Sequence, residues 1–265
     1  MNAIAPYAVV AYNTAQDSEN KIHDDAVARR FGFSGGLVPG VDVYAYMTHP
    51  AVALWGRAWL ERGTLECRFR KPVYDGAKVV VLADETSAGL SLSVTSGEQV
   101  CATGLATLPD SVSAPGAVEK PPFPPETRPV ADEASLTPGR LLGMRPLVLT
   151  ADYLARYYQD ARETEPLYLR ERIAHPGLVL RACNWALTHN VALGPWMHVG
   201  STVRHCGLAR AGDELSVHAR VAANYEHKGH RFVELDAVVL AGGRAVARVD
   251  HVAIYRPRQA AQDGA

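Results

Sequence analysis

The sequence repeats itself, and this internal duplication constrains the fold more than any single motif. Pro39-Gly40 matches Pro176-Gly177, and the stretch from Arg68 to Gly76 matches the stretch from Arg204 to Gly212. The separations of the two matches differ by only one residue. Two anchors at almost the same offset predict that the chain contains two copies of one structural unit.

A proline-rich stretch separates the two copies. Prolines at high density remove backbone N–H donors and favour extended conformers, so the stretch predicts a linker and not a packed element. The predicted organisation is an N-terminal domain of residues 1–108, a linker of residues 109–139 and a C-terminal domain of residues 140–265. The linker prolines are Pro109, Pro115, Pro121, Pro122, Pro124, Pro125, Pro129 and Pro138.

Each half shows one long apolar helix followed by an antiparallel meander. The helices open at Pro39-Gly40 and at His175-Pro176-Gly177, and a shorter helix is predicted near Asp24–Phe31. Residues 90–94 alternate between apolar and polar, which is typical of a half-buried strand. A sheet wrapped around a helix buries both, which predicts an α+β fold. The predicted strands are Leu65–Arg70, Lys78–Ala83, Leu90–Ser96 and Gln99–Leu108, then Val199–Cys206, Leu215–Tyr225, Arg231–Leu240 and Ala245–Tyr255.

Composition excludes several classes of protein. The 27 basic and 28 acidic residues balance, so no nucleic-acid partner is expected. There is no apolar run of about 18 residues, and residues 1–15 lack the pattern of a signal peptide, so no membrane span or leader is expected. The four cysteines form no CxxC pair, which favours reduced thiols and a cytoplasmic setting without a metal centre. Glycine-rich nucleotide motifs and Gly-x-Ser-x-Gly are absent.

Three segments of the first half carry a family resemblance: Asn20-Lys21-Ile22-His23-Asp24-Asp25, Phe31-Gly32-Phe33 and Leu37-Val38-Pro39-Gly40. Together they resemble the MaoC-like (R)-specific enoyl-CoA hydratases and dehydratases, whose pattern is Asp-x-Asn-Pro-x-His-x-Asp before a helix with glycine at its start. With the duplication, the resemblance implies a double hot-dog fold. It also implies hydro-lyase chemistry on an acyl-CoA or acyl-carrier-protein thioester. No cofactor is expected beyond the coenzyme A or pantetheine of the substrate, and further pairing into a homo-oligomer is a possibility that such folds allow.

The resemblance assigns roles to four residues. His23 is the acid/base group, because histidine titrates near neutral pH with the least tuning. Gly40 donates its amide to the thioester oxygen at a helix N-terminus. Asn20 and Ser18 position His23 or the water. The family aspartate falls on Ser18, which is a departure from the pattern; the neighbouring acids Asp17 and Glu19 are the alternatives.

Four further residues are predicted to bind substrate. Tyr44 is a candidate for lining the acyl pocket, although its neighbours on the helix are predicted to be core residues. Arg70 and Lys71 are candidates for contacting coenzyme A phosphates, for which arginine's planar fork is suited. A solvated face also explains these two charges. Asp25 is a candidate for substrate contact and, alternatively, for stabilising the first turn of its helix.

The second half offers a second candidate site formed by Glu163, Tyr168, His175 and Gly177. Its segment from Glu163 to Tyr168 keeps the acid of the family pattern but has tyrosine where histidine belongs, and a degenerate repeat that supports the first site is the favoured interpretation. Two other functions remain open: a hot-dog thioesterase that activates water with a carboxylate, and an acyl-thioester-binding protein without catalytic activity.

Overall fold

The structure is a computed structural model that describes residues 4–16, 18–112, 115–116 and 119–258. Two similar units share one sheet and each contributes one central helix. The first unit contains β1 (Tyr7–Val10), α1 (Asp25–Arg30), α2 (Gly40–Trp55), α3 (Arg57–Arg62), β2 (Thr64–Phe69), β3 (Lys78–Thr86), β4 (Gly89–Ser96) and β5 (Gln99–Thr107). The second contains β6 (Leu141–Gly143), β7 (Leu147–Val148), α4 (Ala151–Asp160), α5 (Pro166–Glu171), α6 (Pro176–Thr188), β8 (Met197–His205), β9 (Glu214–His227), β10 (His230–Ala241) and β11 (Arg244–Arg256).

The described strands form an 11-stranded antiparallel sheet in the order β1-β3-β4-β5-β2-β8-β11-β10-β9-β6, with β7 also on β9. The two units join at β2 and β8, where Leu65 pairs with Val203 and Cys67 with Ser201. All four of these residues are buried, so the seam is part of the core. The predicted meander strands are confirmed, with ends within a few residues of those expected from alternation.

Helices α2 and α6 fill the space inside the curved sheet. Val41, Tyr44 and Met47 of α2 are almost fully buried, as are Leu178 and Leu180 of α6. Burying such side chains contributes about 1.5–3 kcal/mol each relative to exposure. None of the described helices is long and apolar enough to cross a membrane.

Backbone hydrogen bonds confirm the duplication. Val38 N donates to Val73 O at 2.8 Å in the first unit, and Ala174 N donates to Ala209 O at 2.8 Å in the second. Helix α2 begins at Gly40 and helix α6 begins at Pro176. These two residues are separated by the same number of positions in the sequence as Val38 and Ala174. The structural counterpart of Gly40 is therefore Pro176 and not Gly177, so the Pro-Gly sequence match is out of structural register by one residue.

The predicted linker is packed in its C-terminal part, and the expectation that all of residues 109–139 lacks packing is wrong there. Ala131 N donates to Ala192 O at 3.0 Å, and Gly139 N donates to Val221 O at 2.8 Å. Leu136 is fully buried in the core. An extended, proline-rich chain can lie along a protein surface and bury its apolar side chains, and proline density alone does not reveal this.

Candidate active site

A cavity of about 290 Å³ opens between the two units, at the start of α2. The first unit provides one wall, and the second provides residues of α6 and β8. Arg70 and Lys71 lie exposed at its rim, while most of the interior is apolar. The described residues that line it are Asn20, Ile22, His23, Phe33, Leu37, Val38, Pro39, Gly40, Val43, Phe69, Arg70, Lys71, Pro72, Val73, Asn184, Trp196, Met197, His198, Val199, His230 and Ile254.

A short 3₁₀ turn, Lys21–His23, carries His23 into the cavity wall. Asn20 caps this turn, since its Oδ1 accepts from Ile22 N at 3.4 Å. The same oxygen accepts from Trp196 N at 3.2 Å, and Asn20 Nδ2 donates to Trp196 O at 3.0 Å. The Asn20 amide therefore fixes the His23 turn to the second unit.

The hydrogen bonds of His23 define its tautomer. Leu37 O lies 2.6 Å from His23 Nδ1, and a carbonyl only accepts, so Nδ1 carries the proton. The amide of Asn20 is oriented by Trp196, which places Asn20 Nδ2 3.2 Å from His23 Nε2. Since Nδ2 only donates, Nε2 presents a lone pair. His23 is thus a neutral imidazole with its basic nitrogen on the side of Asn20.

Burial favours the same neutral form. The pKa of His23 is lowered below its ordinary value chiefly by burial, against the opposing effect of the hydrogen bond to Leu37. A histidine that is unprotonated near pH 7 can accept a proton without first losing one. The site therefore offers a base, which is the role that addition of water requires.

Helix α2 begins at Gly40 with its N-terminal amides uncapped by any described side chain. Such amides, together with the helix dipole, favour negative charge at this point. A Cβ on Gly40 would stand 3.1 Å from His198 Nδ1 and 3.1 Å from Phe69 Cε2. Glycine therefore keeps the start of α2 close to this wall without steric conflict.

Sequence analysis did not identify the residues that the second unit contributes to the cavity. His198 on β8 contacts Ser201 Oγ through Nε2 at 2.8 Å, and Ser201 Oγ lies 3.1 Å from His251 Nδ1. Burial and the neighbouring His251 hold the pKa of His198 well below its ordinary value, so it is neutral. Asn184 of α6 also reaches the cavity. No local motif marks these residues, which the pairing of β2 with β8 and the packing of α6 against α2 bring here.

The other predicted first-site residues lie elsewhere. Ser18 lines an adjoining polar cleft of about 380 Å³ and donates from Oγ to Asn20 O at 3.4 Å. Asp25 is exposed and accepts from Gly36 N at 2.7 Å, so it shapes the loop before α2. Tyr44 is fully buried and does not line the cavity, which corrects its assignment to an acyl pocket: it is a core residue. Asp17 lies outside the described residues, and Glu19 pairs with Arg128 at 2.9 Å.

The equivalent cavity of the second unit is almost closed, with a volume of about 10 Å³. Gly177 is packed so tightly that a Cβ there would meet Tyr157 Oη at 2.5 Å and the Ala45 Cβ at 2.7 Å. Pro176 has no N–H, and Gly177 N donates to His175 Nδ1 at 3.0 Å. The start of α6 consequently has neither the space nor the free amides found at Gly40.

Glu163, Tyr168 and His175 form part of the core instead of a second pocket. Glu163 accepts from His49 Nδ1 at 2.7 Å and contacts His175 Nε2 at 3.1 Å, with its side chain only 2% exposed. Burial by itself raises the pKa of Glu163, but the hydrogen bonds from His175 and His49 outweigh it and hold this pKa well below the ordinary value. Tyr168 is fully buried. These residues join α5 to both central helices, and their side chains are all buried in the core, which corrects their assignment to an open second site.

The described residues contain no group of three or more His, Cys, Asp or Glu side chains placed to hold a metal ion. All four cysteines are free thiols, and burial raises the pKa of Cys67 and of Cys183 to about 12. These two thiols are therefore poor nucleophiles. The chemistry available at the cavity is that of imidazole, amide and helix N-terminus.

No protein-family model matches the chain, and no curated protein matches it significantly. Solved structures do match over almost the whole length. A protein from Chloroflexus aurantiacus J-10-fl named as a candidate MaoC domain dehydratase is 11% identical, with a TM-score of 0.62 over 98% of this chain and 97% of that one. RV0216 from Mycobacterium tuberculosis, described by its name as a double hot-dog protein, is 14% identical, with a TM-score of 0.58 over 96% of both chains.

A third similar structure is a protein from Novosphingobium aromaticivorans DSM 12444 named as a candidate thioesterase. It is 11% identical, with a TM-score of 0.57 over 97% of this chain and 98% of that one. At such identities the likeness shows the fold alone. The chain is a double hot-dog protein of the α+β class, which confirms the fold expected from the duplication.

Proposed function

We propose that this double hot-dog protein is a hydro-lyase that adds water to, or removes it from, an acyl thioester. The observation that carries the proposal is the pairing of a neutral His23, whose Nε2 is unprotonated, with the uncapped start of α2 at Gly40 in one cavity. A base and a set of amide donors are the two elements that conjugate addition to a thioester requires.

The reaction divides between these two elements. His23 Nε2 takes a proton from water while the water oxygen bonds to C3 of a 2-enoyl thioester. The electrons of the double bond move towards the thioester oxygen, where the Gly40 amide stabilises the negative charge. The imidazolium of His23 then returns a proton to C2, which completes the addition of one water. A single donor of this kind contributes about 10²–10³ to the rate.

The substrate class follows from the shape and rim of the cavity. The interior is mostly apolar and suits a pantetheine arm or an acyl chain, while Arg70 and Lys71 at the rim suit the phosphates of coenzyme A or of a carrier-bound pantetheine. Arg70 Nε also donates to Thr103 Oγ1 at 3.1 Å, which holds its guanidinium in place. The cytoplasmic setting and any homo-oligomer remain predictions.

The thioesterase alternative required a carboxylate to activate water. Among the described residues that line the cavity there is no aspartate or glutamate, and Glu19 in the adjoining cleft is paired with Arg128 at 2.9 Å. This arrangement supports hydration over hydrolysis, although a structure of similar fold is named as a candidate thioesterase.

The test is an assay on a panel of trans-2-enoyl-CoA substrates that follows loss of the conjugated enoyl-thioester absorbance and release of free thiol in parallel. Hydration predicts loss of absorbance with no free thiol. Free thiol released from saturated acyl-CoA, without hydration, would instead identify a thioesterase. Saturable acyl-CoA binding with neither reaction would identify a binding protein.

A further inference from the structure

Five described residues line both the cavity and the adjoining polar cleft, and we call them the junction: Asn20, His23, Pro39, Asn184 and Trp196. The cavity suits a thioester, whereas the cleft is lined largely by polar side chains. Water from the cleft and a thioester in the cavity would therefore meet at the junction.

Asn184 is the junction residue whose hydrogen-bonding capacity is unused. Its side chain projects from α6 in the second unit, and its buried Oδ1 has no hydrogen-bond partner within the described part of the chain. A buried oxygen without a donor is costly, and folded proteins keep few of them. Because the Asn184 side chain lines both open spaces, rotation of its amide would turn this acceptor towards a donor that comes from outside the protein.

The position of Asn184 is fixed by a neighbouring ion pair. Arg181, three residues earlier on α6, pairs with Asp42 of α2 and donates to Thr14 Oγ1 at 2.8 Å. The Asp42 side chain is 1% exposed, while Arg181 is 19% exposed where it lines the cleft. It fastens α6 to α2 close to Asn184 and holds the asparagine in a constant relation to the start of α2.

The described residues of the first unit that line the cavity include no carboxylate to accept a hydrogen bond from the attacking water. The position that the family resemblance gives to an aspartate is occupied by Ser18, which lies in the cleft and donates to Asn20 O. We infer that Asn184 supplies the missing acceptor from the second unit and holds the attacking water against His23, an inference that rests on the proposed function.

In the resulting arrangement the water makes two hydrogen bonds before it reacts. One O–H donates to His23 Nε2, where it replaces the 3.2 Å contact from Asn20, and the other donates to Asn184 Oδ1. As the water oxygen bonds to C3, the first proton passes to His23 and then to C2. The second stays on the new hydroxyl group, still donated to Asn184, which is never protonated. The active site is thus shared between the two units.

The inference is tested by steady-state hydration of a short trans-2-enoyl-CoA, with kcat and KM measured separately. Asn184→Ala should lower kcat about 10- to 100-fold with little change in KM, because it removes one hydrogen bond to the reacting water. Asn184→Asp keeps an oxygen acceptor and should retain at least the wild-type kcat. Thr188→Ala, one turn further along α6 and facing only the cleft, is the matched control and should behave like wild type.

The outcomes separate the inference from the proposed function. Wild-type turnover with an Asn184→Ala kcat within twofold of wild type would overturn the inference and leave the hydratase assignment standing. A wild-type protein without hydratase activity would overturn both. If Asn184→Ala does not fold, Asn184→Asp decides: a kcat at or above wild type supports the water-holding role, and a tenfold loss in a folded protein contradicts it.

Discussion

The side-chain amide of Asn20 hydrogen bonds to both backbone polar groups of Trp196, a residue 176 positions further along the chain. This pairing sets the orientation of the amide so that it donates to His23 Nε2, while Leu37 O accepts from His23 Nδ1. A contact between the two units therefore contributes to the chemical state of a residue that belongs to the first.

Asn20→Asp should favour the doubly protonated form of His23, because Leu37 O still accepts from Nδ1. A carboxylate oxygen in place of Nδ2 would accept from a protonated Nε2, so the variant should raise the pKa of His23 above the wild-type value, which lies below 6.5. A titration of the His23 ring by ¹H–¹⁵N NMR measures this directly. Identical pKa values in wild type and variant would show that Asn20 does not influence the protonation of His23.

The pH dependence of activity should follow His23. Its burial-lowered pKa predicts that kcat/KM is constant around neutral pH and falls as the pH drops through a value below 6.5, because protonation removes the basic lone pair. The rate profile of wild type between pH 4.5 and 8, with checks that the protein stays folded, measures this limb. A decline that begins above pH 7 would contradict a neutral His23 as the base.

Gly40→Ala should chiefly lower turnover, whereas Gly177→Ala should chiefly lower stability. A Cβ on Gly40 meets two side chains at 3.1 Å, so Gly40→Ala should lower turnover about tenfold or more while costing little stability. A Cβ on Gly177 meets Tyr157 Oη at 2.5 Å and Ala45 at 2.7 Å between the central helices, so Gly177→Ala should cost about 1–3 kcal/mol of stability. Thermal unfolding and initial rates, measured on both variants, check this contrast. Equal losses of stability and of turnover in the two variants would contradict it.

The buried Glu163 carboxylate should make the free energy of unfolding of the wild type fall more steeply as the pH is lowered. Its folded pKa lies below its ordinary value of 4.5, so its contribution is present above about pH 4.5 and is lost as the pH falls through the folded pKa. Glu163→Gln should lower the free energy of unfolding at pH 7 by about 1–3 kcal/mol and flatten its decline between pH 5 and 3. Urea unfolding at several pH values measures both effects. The exposed Glu66→Gln is the control and should change neither.

The strands of the two meanders were predictable from sequence because residues such as Leu90 and Leu92 alternate with polar positions, and a two-residue period is readable in a single chain. The edge strand β1 was not, since its four residues are too few to show a period. The Pro-Gly match suggested that Gly40 and Gly177 are equivalent, but backbone register places Pro176 opposite Gly40. The match in sequence is therefore offset by one residue from the match in structure.

Only the part of the site whose residues lie close together in the sequence was predictable. His23, Asn20 and Gly40 come together because a turn and a helix start lie close in the chain, and the structure places all three at one cavity. Asn184, Trp196 and His198 come from the second unit, and their approach depends on the pairing of β2 with β8 and on the packing of α6 against α2. A single sequence carries no local signal for such a long-range arrangement.

The central claim is that thioester chemistry takes place at the first-unit cavity, with His23 as its base, and not at the closed position in the second unit. The most direct measurement compares initial hydration rates of a short trans-2-enoyl-CoA for wild type, His23→Gln and Tyr168→Phe. The account predicts a fall of about 10² or more for His23→Gln and a rate near wild type for Tyr168→Phe. A Tyr168→Phe variant that loses activity while folded His23→Gln retains it would contradict the account.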